Sequence, residues 1–183
     1  MVHLRVLTTS DWPLWREVRL AALNEAPHAF RAGLAGWHNG GEERWRERLA
    51  MPATYSIVAL LDGRTVGMAA GLPGDGGVCE LRSVWVSPQA RGRSVGDQLI
   101  AAVEGWARQR GATTLKLAVL PGNEPAVGLY QRNGFVDTGE LGDLLSDGVT
   151  RERLMVKALR WAGRGAFRWR TGHCQSRRTG ART

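Results

Sequence analysis

The stretch VWVSPQARGRSVGDQLI, residues 84–100, changes character twice. It opens as a β-branched and aromatic run, stops at Pro88, passes through a loop bearing Gly92 and Gly96, and ends in an apolar, helix-forming segment. A helix entered this way has first-turn backbone N–H groups with no intrahelical acceptor, and it has the positive end of the helix dipole. Two readings follow. A pyrophosphate can sit on that turn, with Gly92 and Gly96 allowing close backbone approach and Arg91 and Arg93 adding charge. Alternatively the segment is a capped turn with exposed arginines, a reading favoured by Asp97, whose carboxylate would itself satisfy the dipole. The glycine spacing does not match a GxGxxG dinucleotide loop, and no GxxxxGK[ST] phosphate loop occurs in the chain.

Upstream, VHLRVLT at 2–8 alternates as a first strand, with Val2, Leu4 and Val6 on one face. Ser10 is a helix N-cap with Pro13 in the first turn, and Leu14, Val18, Ala21 and Ala22 form the apolar stripe of the helix that runs to Leu23. Residues 26–40 form an irregular connection, and GEERWRERLA at 41–50 a second short helix. From 54 the period becomes two. YSIVALL and TVGMAAGL flank an Asp62-Gly63 hairpin turn, and after a second turn VCELRSVWV at 78–86 adds a third strand of the meander. In that strand strict alternation groups Glu80 with Arg82 and Val84, facing away from Leu81 and Trp85.

Downstream, the helix that starts near Ser94 runs to about Arg110 and stops at Gly111. TLKLAVL (114–120), a helix from Glu124 to Arg132, and the strands FVDTGEL and RERLMVKAL complete the body. The element order is β-α-α-β-β-β-α-β-α-β-β, an α/β chain without internal repeats.

Composition narrows the class. The formal net charge is +8, yet residues 160–183 hold seven Arg and no acid, leaving 18 basic against 17 acidic residues in 1–159. The body is nearly neutral, so nucleic-acid contact is expected at most weakly and only through the tail, where Trp161, Phe167 and Trp169 accompany the arginines. The other reading of the tail is a solvated, disordered extension. The two cysteines, Cys79 and Cys174, and the four scattered His lack ligand spacing, so neither a metal nor a disulfide framework is expected. No apolar run approaches the ~20 residues that span a bilayer, and the start has no leader pattern, so the expected location is cytoplasmic and no membrane contact is expected.

The second signal is NEPAVGLYQRNGF, residues 123–135, which places Ala126, Leu129 and Tyr130 on one face of a short helix. Asn123, at its start, can cap the helix or bind a ligand. Together and in this order, the two motifs resemble the GNAT N-acetyltransferase superfamily: V-x-P, then R-x-x-G-x-G/A into a helix, and later N-x-x-A-x-x-L-Y-x-x-x-G-F. The resemblance covers roughly residues 2–159, leaving 160–183 as a separate tail. It implies a mixed, mostly antiparallel sheet split by a V-shaped opening between strands four and five, with acetyl-CoA as co-substrate in the opening. Carried over by position, Val84, Trp85 and Val86 would bond the pantetheine and acetyl carbonyl through their backbone. Arg91, Gly92, Arg93, Ser94, Val95, Gly96 and Asp97 would hold the pyrophosphate, and Asn123 and Tyr130 would line the thiol end. Ser94 departs from the pattern, which has Gly there; it keeps the backbone donor and adds a hydroxyl.

The chemistry implied is acetyl transfer to a primary amine by direct attack, without a Ser or Cys nucleophile. Tyr130 is the candidate general acid for the departing thiolate, or else a packed aromatic on an amphipathic helix. Glu80 is the candidate base, through a water, or else a strand carboxylate bridged to Arg82. Residues 24–50 would form one wall of the acceptor site, where His28, His38, Phe30 and Trp37 either line the pocket or cover the core. The acceptor is expected to be a small-molecule amine; a peptide or protein N-terminus, or acyl-CoA binding without catalysis, are the alternatives. By analogy with the superfamily, the sheet edge can pair with a second copy to make a homodimer.

Overall fold

The computed structural model describes residues 1–30 and 41–159. A meander comes first. β1 (Val2–Val6) pairs antiparallel with β2 (Tyr55–Leu61), β2 with β3 (Arg64–Pro73), and β3 with β4 (Val78–Val86). The turn between β2 and β3 has positive φ at both Asp62 (51°) and Gly63 (77°), the handedness that matches strand twist in a tight hairpin. Beyond β4 the chain adds β5 (Thr114–Val119), β6 (Val136–Leu144) and β7 (Arg151–Ala158), giving one seven-stranded sheet in the order β1-β2-β3-β4-β5-β7-β6.

The β4–β5 junction is the parallel pairing, and it is short. Val78, Cys79 and Glu80 pair with Thr114, Leu115 and Lys116. From Leu81 onward β4 stays with β3, while β5 follows β7 along its whole length. The sheet is therefore open between strands four and five, as the motifs implied.

Helices cover both faces. On one, α3 (Val95–Gln109) buries Leu99, Ile100, Val103 and Ala107 against β2, β3 and β4. On the other, α1 (Trp12–Glu25) and α2 (Glu42–Ala50) bury Trp15, Val18, Ala22 and Trp45 against Val58, Met68 and Trp85. The last helix, α4 (Glu124–Arg132), buries Val127 and Tyr130 at the open side. The apolar stripe of α1 is Trp15, Val18, Ala22 and Leu23, with Ala21 exposed and Leu14 half-buried, one step round from the stripe read in sequence. No described helix is long and apolar enough to cross a membrane.

β4 departs from strict alternation. Ser83 has φ 57°, and the register with β3 slips between Met68 and Ala70. This is a β-bulge, which adds one residue to one strand and turns all later side chains over. Cys79 and Leu81 lie in the α3-side core, and Val84 and Val86 pack there too, while Trp85 lies in the α1-side core. The grouping of Val84 with Glu80, and of Leu81 with Trp85, is thus corrected: the bulge between them reverses the faces. The tail at 160–183 lies outside the described residues, as do residues 31–40 with Trp37 and His38.

Candidate active site

The opening between β4 and β5 leads to two cavities that meet. The first, of about 760 Å3, runs from the start of α3 to the start of α4. Val84, Trp85 and Val86 of β4, the loop residues Arg91, Gly92 and Ser94, and Val95, Gly96 and Asp97 of the first helical turn lie on its wall, together with Asn123 and Tyr130. Arg93, exposed like Arg91, Gly92 and Ser94, is the loop position singled out in sequence that does not border it. The second cavity, of about 670 Å3, contains Glu80 and lies on the other side of Val84, Asn123 and Tyr130, which border both.

The loop earns its shape locally. Gly92 (φ 73°) and Ser94 (φ 56°) are both left-handed, and Ser94 precedes the helix with no side-chain cap hydrogen bond. Its carbonyl accepts the Gln98 N–H at 3.1 Å, so the amides of Val95 and Gly96 stand ahead of the helical ladder, at the positive end of the dipole. A Cβ on Gly96 would lie 3.0 Å from Leu129, so this glycine also sets the approach of α4 to α3.

Asp97 does not oppose an anion at this turn. Its carboxylate accepts from Arg132 Nε at 3.0 Å and Asn133 Nδ2 at 2.7 Å, tying α3 to the end of α4. Arg132, then Asn133, hold its pKa below the usual carboxylate range. Arg91 turns the other way, donating to Glu25 at 3.0 and 2.9 Å and to the Val86 carbonyl at 3.2 Å. Glu25, at the end of α1, also accepts from Trp85 Nε1 at 3.0 Å. That bond is the largest cause of its lowered pKa, with Arg91 adding to it. No sequence signal marked Glu25: its partners lie some sixty positions away, and only the fold brings them together.

Asn123 precedes α4 without making a side-chain cap and lies on the wall of the cavity. Tyr130 is buried, with its ring edge-on to Phe135 at 5.9 Å. Burial pushes its phenol well above the ordinary value, so it remains protonated through neutral pH. The ring is packed, and Tyr130 borders both cavities. Glu80 forms a two-point bridge to Arg82, at 2.7 Å to Nε and 3.0 Å to Nη2, on the wall of the second cavity. Cys79 is buried in the core, where desolvation raises its thiol pKa. Among the described residues no group of His, Cys, Asp and Glu is arranged to hold a metal ion.

This geometry meets its relatives here. Residues 16–135 match the Acetyltransferase (GNAT) family. The chain belongs to that family. It is 33% identical over 97 residues to a protein of Azospirillum brasilense named IAA acetyltransferase, covering 52% of this chain and 63% of that one. It is 29% identical over 136 residues to the mycothiol acetyltransferase of Clavibacter sepedonicus, covering 74% of this chain and 43% of that one. The chain thus spans less than two thirds of either relative. A GNAT-family acetyltransferase of Streptococcus pneumoniae superposes with a TM-score of 0.70 at 19% identity, over 87% of this chain and 99% of that one, which shows the same fold.

Two outcomes follow from the loop and from Glu25. Ser94 takes a left-handed conformation that glycine adopts without steric cost, so Ser94→Gly raises stability by up to about 1 kcal/mol, read as a higher Tm. Glu25, its folded pKa depressed, contributes stability that is present above its unfolded value and lost as pH falls through the folded one. Trp85→Phe removes the leading cause, so the Glu25 carboxyl titrates at higher pH in carbon-detected NMR.

Proposed function

We propose that the chain is an acetyl-CoA-dependent N-acetyltransferase that moves an acetyl group to a primary amine by direct attack. The observation that carries this reading is the shared wall: a helix start suited to an anion opens on one cavity, a charged pocket occupies the other, and Tyr130, Asn123 and Val84 border both. In this reading acetyl-CoA supplies the activated thioester.

The residues divide the work. The amides of Val95 and Gly96, with Gly92 and Ser94 beside them, receive the pyrophosphate, while Arg91 on the same wall is held by Glu25. The backbone of Val84, Trp85 and Val86 forms the edge of β4 left without a strand partner on its β5 side, and it binds the extended pantetheine arm as a missing strand would. Tyr130 donates its proton to the departing thiolate, with Asn123 beside it. Glu80 takes the ammonium proton through a water; its two-point bridge to Arg82 holds the carboxylate in place.

The acceptor is a small-molecule amine. The second cavity, of about 670 Å3, is of the size that takes a small-molecule ligand. A peptide acceptor is the second outcome of the amine screen, and acyl-CoA binding without transfer is the third.

Calorimetric titration with acetyl-CoA and with pantetheine lacking the pyrophosphate tests the cradle; binding that requires the pyrophosphate is expected, and equal affinity for both overturns it. Tyr130→Phe is expected to lower kcat by about 10²- to 10⁴-fold with the Kd for acetyl-CoA little changed. Glu80→Gln is expected to abolish the acidic limb of the pH–rate profile, and an unchanged limb removes Glu80 as the base.

A further inference from the structure

Lysine occurs in this chain at 116 and 157 alone, among 25 Lys and Arg residues, so the chain itself carries few primary amines. The segments outside the described residues, 31–40 and 160–183, contain none. The amino group of Met1 lies at the β2–β3 turn, 3.9 Å from the Asp62 carboxylate. Lys157 of β7 is taken by Glu104 of α3, and its Nζ lies 5.9 Å from the centre of the Phe135 ring. Lys116 of β5 differs from both. It borders the second cavity, which Asn123 and Tyr130 border as well.

The sheet puts it there. Leu115 and Leu117 are buried in the α3-side core, so alternation turns Lys116 to the opposite face. β5 is an inner strand, between β4 and β7, and lysine is a poor strand former. In the parallel ladder Lys116 stands opposite Glu80, in the last pair before the two strands part. Neighbouring strands lie about 4.8 Å apart, so a cross-strand ion pair is the ordinary reason for such a lysine. Here that pair is not made. Glu80 is engaged by Arg82, at 2.7 and 3.0 Å, and among the described residues Lys116 has no ion pair or side-chain hydrogen bond. Lys116, Ala118 and Leu120 all line the cavity, which therefore extends along β5 from the lysine to Asn123 at the start of α4. A flexible four-carbon stem lets the amine move along that path.

Resting on the acetyltransferase reading above, we propose that Lys116 is a modification site, acetylated on Nζ by the active site of its own molecule with acetyl-CoA as donor. The Lys116 ammonium gives one proton through a water to Glu80, and the free amine attacks the thioester carbonyl. The C–N bond forms, the C–S bond breaks, and the thiolate leaves with the proton of Tyr130. A second proton from the nitrogen replaces the one that Tyr130 gave up. The net products are Nζ-acetyl-lysine, the CoA thiol and one proton released through Glu80.

The test incubates the full chain with acetyl-CoA whose acetyl group is deuterated and locates the label by peptide mass spectrometry, with a parallel calorimetric titration of acetyl-CoA. Light acetyl on the same peptide reports modification completed before purification. The expected result is acetylation of Lys116 at least about 10-fold faster than of Lys157 or the Met1 amine, since transfer within one molecule has a high effective concentration. The first-order rate is expected to stay constant when the protein is diluted. Tyr130→Phe lowers that rate by about 10²-fold or more. Lys116→Arg takes no acetyl at this position and binds acetyl-CoA with the same Kd. Equal labelling of all these amines, or labelling of Lys116 that Tyr130→Phe leaves unchanged, is direct chemical acetylation and overturns the proposal. A rate that falls on dilution is transfer between molecules and overturns the assignment to the molecule's own site. Acetyl transfer to added amines with no acetyl on Lys116, light or heavy, overturns the proposal while leaving the acetyltransferase reading intact. Absence of acetyl-CoA binding overturns the underlying reading, and this proposal with it.

Discussion

The structure depends on the parting of β4 from β5 after Glu80. Up to that point the two strands exchange backbone hydrogen bonds as parallel neighbours. Beyond it, each keeps its outer partner and loses the inner one. Strands rarely leave a buried edge open, because unpaired N–H and C=O groups away from water are costly. Here the exposed edge lines a cavity instead of solvent, and α3 and α4 begin on either side of it. The bulge at Ser83 belongs to the same constraint. It gives β4 extra twist where it leaves β5, and it places Trp85 against α1 while Val84 and Val86 turn toward α3.

Charge is distributed around this opening according to a single pattern. Carboxylates on the first cavity are tied up in place: Asp97 by Arg132 and Asn133, Glu25 by Trp85 and Arg91. The two cavities share the boundary formed by Val84, Asn123 and Tyr130.

Much of what lines the two cavities was legible because the motifs are local. A helix N-terminus, the left-handed loop before it, and the Asn123-to-Phe135 helix are each specified within a dozen residues, so the pattern of glycines and apolar positions reports them directly. Arg93 sits between the left-handed Gly92 and Ser94, is exposed and does not border the first cavity. The faces of β4 were misassigned because alternation assumes an unbroken ladder, and a bulge stabilised by register with β3 leaves no compositional mark.

What the sequence alone determined is the order of elements, the nature of the loop at 91–97, and the family those features point to. All of these rest on short-range periodicity and backbone preference. What the tertiary structure decided is which charges meet. Glu25 with Arg91, Asp97 with Arg132, and Arg19 with Arg48 at the bulge join positions separated by tens of residues. No local propensity encodes such pairings; they exist because the sheet twists and splits, and helices packed on its two faces bring distant side chains to the opening.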